Sequence, residues 1–151
     1  MTFQINDGDV DSNIVSRAID FTAVNDAPTL ANIEGVPVSY TEGGSPVSIT
    51  ANLSLVDLDD VNIESAVVSI SNNFAAGEDE LIFTDQSGIS GSFDATTGIL
   101  TLTGSASVAD YQAALTTITY NNTSDNPSTL TRTVSFAVSY THLTLPTTPY
   151  V

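Results

Sequence analysis

The chain has no cysteine, no lysine and no tryptophan, and it carries one histidine and two arginines in 151 residues. Each absence closes off a class of function. Without cysteine there is neither a disulfide framework nor a thiolate metal site. With lysine and cysteine missing and the single histidine in a segment set aside below, only carboxylates and hydroxyls remain for catalysis. An enzyme such as a glycosidase with paired carboxylates could be built from such a set, and the repeat organisation argues against it. Without tryptophan there is no strong stacking platform for a sugar. Eighteen acidic residues give a net charge of −16, which repels nucleic acid and anionic lipid and attracts divalent cations. No apolar run approaches the roughly 20 residues of a membrane span. No signal peptide follows Met1, because a strand pattern begins at once.

What is present is alternation. Thr2-Phe3-Gln4-Ile5-Asn6 and Arg17-Ala18-Ile19-Asp20-Phe21 each alternate apolar and polar, and Thr117–Asn121 and Arg132–Phe136 repeat the two patterns at a common interval of 115 residues. Between the copies lies Val24-Asn25-Asp26-Ala27-Pro28. The sequence therefore reads as part of a tandem array. Residues 1–24 are the last strands of one repeat, 25–28 a linker, and 29–136 the next repeat. Such arrays space and bind; they rarely catalyse.

Within 29–136 strands are expected at Val36–Tyr40, Val47–Ile49, Leu53–Leu55, Ile63–Ile70, Leu81–Phe83, Thr117–Asn121 and Thr131–Phe136, with a hairpin over Ser92–Leu102 turning at Gly98. Gly77–Asp79 reads as a turn, and Asp79 with Glu80 as a solvated acidic spot. Ser107 is a good N-cap, and Val108, Tyr111 and Leu115 share a helical face, so Val108–Ala114 is expected to form one or two helical turns. Seven or eight short strands imply an all-β, antiparallel two-sheet sandwich. Val38, Ile49, Leu55, Val68, Phe93, Leu102, Leu115, Tyr120 and Phe136 are its expected core. Arg17 and Arg132 stand in line with core residues, at the core margin, where a stem lies on apolar surface and the head pairs with a carboxylate or carbonyls.

The acidic loops carry the chemistry. Calcium takes six to eight oxygens in flexible geometry. Asp57-Leu58-Asp59 places two carboxylates on one side of an extended backbone, with Asp60 adjacent. Pro28 favours an extended residue before it, and the linker offers Asn25 and Asp26.

This order of motifs resembles the bacterial cadherin-like repeat, an Ig-like Greek-key sandwich found in large surface adhesins and secreted calcium-dependent repeat proteins. Phe3–Gly8 with Arg17–Pro28 resembles the end of such a repeat and its linker. Tyr40-Thr41-Glu42 resembles the early glutamate motif, Asp57–Asp60 the Asp-x-Asp motif, Thr97–Leu100 the Thr-Gly hairpin, and Tyr120–Pro127 the later strand and turn. The resemblance implies a calcium junction held by Asn25, Asp26, Asp57 and Asp59, supplemented by Asp60, with Glu42 serving the following junction. Ala23 stands where the family has its first linker aspartate, and Gly104–Ser107 with a short helix replaces an Asp-Arg-Glu motif, so one or two ions per junction are implied. The implied partners are neighbouring repeats, other surface proteins or glycans, and the implied location is extracellular. A carbohydrate- or protein-binding sandwich without calcium dependence is the alternative. Val138–Thr148 resembles a translated sequencing adapter, so 137–151, with His142, is expected to be non-native and to leave Leu143 and Leu145 unpacked.

Overall fold

The structure, a computed structural model, describes residues 1–139. The chain is mainly β, with one short helix and several antiparallel sheets. The strands are β1 (Thr2–Phe3), β2 (Val15–Ser16), β3 (Thr29–Ala31), β4 (Val47–Ser48), β5 (Ser54–Val56), β6 (Asn62–Asn72), β7 (Asp79–Ile82), β8 (Ser90–Asp94), β9 (Ile99–Ser107), β10 (Thr119–Asn122) and β11 (Thr133–Ser139), with α1 (Val108–Thr116) between β9 and β10. A four-stranded sheet runs in the order β11-β6-β9-β8, a three-stranded one β4-β10-β7, and β1-β2 and β3-β5 form pairs.

Alternation decides which face each strand buries. In β6, Ala66, Val68 and Ile70 are buried while Val67 is exposed; in β9, Leu100 and Leu102 are buried. Leu53, Leu55, Leu81, Ile118 and the helical residues Tyr111, Ala114 and Leu115 join them in one core. The helix begins as its sequence predicts: the Ser107 hydroxyl accepts from the Asp110 amide at 3.1 Å and donates to the Asp110 carboxylate at 2.6 Å. The β8–β9 turn places Gly98 at φ 72°. A side chain there would be strained, and its Cβ would stand 2.7 Å from the Phe74 ring.

The direction of the strands matters for the site. β6 covers about 33 Å at roughly 3.3 Å per residue. It leaves the 57–61 loop at Asn62, the linker end, and reaches the far end at Asn72. β11 runs back along it, with Thr133 opposite Asn72 and Ser139 opposite Ser65. From Thr29 to Ser139 the chain makes an even number of crossings, so it returns to the end at which the linker enters.

Leu55, Val68, Leu102 and Leu115 are buried as expected, and Ile49, Phe93, Tyr120 and Phe136 are partly buried. Val38 departs from expectation at 54 % exposure. No strand forms over Val36–Tyr40. Pro37 removes a ladder donor in the middle of that run. The expected turn and solvated spot at Asp79 is also corrected: Asp79 opens β7 and is fully buried. The interval of 115 residues does not extend to pairing. β1 and β2 pair with each other, whereas β10 and β11 stand in different sheets. β11 continues through Ser139; His142, Leu143 and Leu145 lie outside the described residues.

Candidate metal centre at the linker end

β5 ends at Val56 and β6 starts at Asn62, so the five residues between must reverse the chain. Asp57 organises the reversal. Its Oδ1 accepts from the amides of Asp59 at 3.0 Å and Asp60 at 2.9 Å, the turn-forming bond that makes aspartate favourable in such loops. The linker is laid against this loop because Thr29 pairs with Val56 immediately beyond Pro28. The Asp26 amide then donates to Asp59 Oδ2 at 2.5 Å, and Asn25 Nδ2 donates to the Asp26 carbonyl at 3.2 Å. Linker and loop are thus joined by the Asp26–Asp59 bond, while Asp57 holds the loop's own turn.

Three oxygens in this assembly have no donor. Asn25 Oδ1, Asp57 Oδ2 and Asp60 Oδ2 are buried and unpartnered among the described residues. A buried carboxylate oxygen left without a partner is costly. No lysine exists to serve it, and Arg132, the arginine buried in the domain, is committed elsewhere. The donor set is all hard oxygen, suited to calcium or magnesium and unsuited to softer metals. An ion held at this loop would take Asn25, Asp57 and Asp60 as its side-chain ligands, with main-chain carbonyls and water completing the six to eight oxygens that calcium requires. Among the described residues no three His, Cys, Asp or Glu side chains are grouped so that they could hold a metal ion by themselves. Val56, Leu58 and Val61 flank the loop as exposed apolar residues.

Glu42 is not part of this centre. It is exposed on the segment that runs to the far end, where the Tyr40 hydroxyl donates to Asn121 Oδ1 at 3.0 Å and to the Asn122 carbonyl at 2.9 Å. Another glutamate, Glu34, ties that segment to the 50–52 turn by accepting from the Ala51 amide at 2.8 Å, the Asn52 amide at 3.0 Å and the Thr50 hydroxyl at 2.7 Å. The Ala51 amide, the Thr50 hydroxyl and the other bonds hold its carboxyl down at about 2.

A second polar centre escapes a reading of sequence motifs. Asp79 Oδ1 accepts from the Tyr120 hydroxyl and from Asn122 Nδ2, both at 2.6 Å. Its Oδ2 accepts from the Ala75 amide at 2.8 Å and from Arg132 Nε at 3.1 Å. Arg132 Nη1 donates to the carbonyls of Ser128 and Leu130, so the arginine takes the carboxylate-and-carbonyl role expected of it. Burial pushes the Asp79 carboxyl up, but the Tyr120, Ala75, Arg132 and Asn122 bonds outweigh it and hold the group below its ordinary range. Burial, then the bond to Asp79 and its charge, push the Tyr120 phenol up to about 12. The available signal was spacing: Asp79 stands two residues before Leu81, on the same strand face, and a core-margin arginine needs a counter-ion. These bonds join Asp79, Tyr120, Asn122 and Arg132 in one network, and Tyr120, Asn122 and Arg132 also line a cavity of about 720 Å³.

Comparison with known proteins is sparse. Over 123 residues, 78 % of the chain, the sequence is 31 % identical to Halomucin of Haloquadratum walsbyi, and the chain spans 1 % of that protein's length. No family model matches, and no solved structure matches. Among the described residues no helix is long and apolar enough to cross a membrane.

Proposed function

We propose that the chain is a non-catalytic structural and adhesive repeat module of a surface or secreted protein. In this reading 29–136 is a cadherin-like Greek-key sandwich, and calcium stiffens its junction with the preceding repeat. The observation that carries the reading is the trio of buried, donorless oxygens on Asn25, Asp57 and Asp60 beside the linker. The likeness to a stretch amounting to 1 % of Halomucin supports a module embedded in a very long chain. The acidic, cysteine-free composition supports an extracellular setting. Without an ion the clustered carboxylates repel one another and free the linker. With one, linker and loop become a single unit, and the outward course of the chain is fixed.

The test is calcium titration of the whole chain, followed by thermal midpoint and calorimetry, with chelator and magnesium as controls. Extracellular modules bind calcium with Kd of about 10⁻⁴ to 10⁻³ M. At ten times Kd the expected stabilisation is about 1.4 kcal/mol. Asp60→Asn keeps the loop's shape and should remove most of it. In a protein of two natural repeats, small-angle scattering should show a defined maximum dimension in calcium and a broadened profile after chelation. A chain whose midpoint and scattering ignore calcium is a plain acidic spacer, and the reading is then wrong.

A further inference from the structure

β11 lies at the end of its sheet. It pairs with β6 on one side, and among the described residues no strand pairs with its other edge. Its ladder with β6 fixes where its main-chain groups point. The Ile70 amide donates away from β11, to the Gly98 carbonyl at 3.0 Å, and Val134 stands opposite Ile70. In an antiparallel ladder two directly opposed residues either exchange both bonds or both turn away. Val134, and Phe136 two residues on, therefore point N–H and C=O out of the free edge, while their side chains pack on the core. Such an edge left open is a template for foreign strands.

The segment from Glu34 to Tyr40 runs beside this edge. Val36, Val38 and Tyr40 line the cavity of about 720 Å³ together with Arg132, Val134 and Phe136. Both ends of the segment are tied. Glu34 holds the 50–52 turn. The Tyr40 hydroxyl holds Asn121 and Asn122, and its ring meets that of Tyr120 edge-on at 5.2 Å. Between the ties Val36 is 81 % and Val38 54 % exposed. Gly35, with open space around it, stands at one end, and the Thr41–Gly44 turn, with Gly43 at φ 67°, at the other. The segment heads for the far end, from which β11 returns, so the two are antiparallel.

We infer that residues 36–40 are a strap that closes on the free edge of β11, adding a fifth strand to its four-stranded sheet. Parity carries the inference. Opposed residues share a face, so the inward side chains of Val134 and Phe136 require inward partners. Tyr40 faces inward, and alternation puts Val36 and Val38 on its face. These three then turn their amides and carbonyls toward β11, where Val134 and Phe136 offer theirs. Pro37 and Ser39 turn their main chain to solvent, so the missing N–H of Pro37 falls where no bond is made. Proline bars the run from a strand bonded on both edges and leaves it fit for an outer one. Closure buries two exposed valines and fills the cavity. It also brings main-chain carbonyls toward Arg132 Nη2, which is buried without an acceptor. The strap is an edge guard. Open, it leaves β11 available to another strand; closed, it presents an outer edge blunted by proline. This inference is independent of calcium.

The test is amide hydrogen exchange, resolved by residue, on the whole chain. The Val36, Val38, Val134 and Phe136 amides should exchange about tenfold or more slowly than that of Ser39. Val38→Pro deletes a bonding amide and should speed exchange at Val134 and Phe136 about tenfold or more. Ser39→Pro deletes one that faces solvent and should leave both unchanged. Val38 and Ser39 are exposed and outside every strand. Unchanged protection of the Ile70 amide, bonded to Gly98, shows that each variant is folded. Unprotected Val134 and Phe136 amides in the unmodified chain would overturn the inference, and so would equal effects of the two prolines. Protection that fades on dilution would assign the edge to a second copy and overturn it as well.

Discussion

Asp79→Ala is the most informative single change in the domain. The side chain is fully buried and accepts four hydrogen bonds, from Tyr120, Asn122, Ala75 and Arg132. Removing it strands a buried guanidinium, of which only 11 % is exposed, and three further donors. Breaking a buried, hydrogen-bonded ion pair by deleting one partner costs about 3 to 5 kcal/mol. A unit of about this size loses roughly 4 °C or more per kcal/mol, so the thermal midpoint should fall by about 15 °C, with a matching loss in urea. Asp79→Asn keeps the shape and one carbonyl oxygen and should cost about half as much. Arg132→Met removes the charge and should cost less than Asp79→Ala, because Tyr120, Asn122 and Ala75 still serve the carboxylate. The two changes share the pair, so their combined loss should fall short of the sum by more than about 1 kcal/mol. An Asp79→Ala protein within about 1 kcal/mol of the unmodified one would refute the assignment of this pair as the domain's polar anchor.

Two further outcomes follow from features outside the metal centre. Tyr120 is neutral in the folded state up to about pH 12, whereas an unfolded tyrosine ionises near 10. Its contribution is therefore complete below pH 10 and is lost as pH rises from 10 through 12; Tyr120→Phe should flatten that alkaline decline in a denaturation series. Gly104 has φ 133°, and a Cβ there would lie 2.2 Å from the Gly88 carbonyl oxygen. Gly104→Ala should cost about 2 kcal/mol or more, while Ala113→Gly, at an exposed position in the helix, should cost only about 1 kcal/mol by propensity; equal losses in urea would contradict the close approach.

The strands that alternate over many residues were legible from sequence. β6, the β8–β9 hairpin and the capped helix all follow from period, turn residue and cap. The loop at Asp57–Asp60 was legible as a loop from its run of aspartates, which favour such turns by accepting amides two and three residues on. Two features were not legible, for two physical reasons. Val36–Tyr40 alternates like a strand, but with Pro37 inside it pairs with nothing among the described residues. Asp79 sits in an acidic run that looks solvated; only the distant Arg132, Tyr120 and Asn122 make its burial affordable, and pairing across 41 to 53 positions leaves no local mark.

The even number of crossings also sets how the domain meets mechanical load. Tension applied through Asn25 and Ser139 enters and leaves at one end. β11 would then peel from β6 one bonded pair at a time, beginning at Ser139 and Ser65, instead of sliding along its whole length against all the pairs at once. Peeling yields at low force. The knot of Asp79 and Arg132 lies at the opposite end, where the ladder would be reached last. Pulled from those two points, the unit would therefore give gradually, with a firm stop near Thr133: a shock absorber before it is a cable.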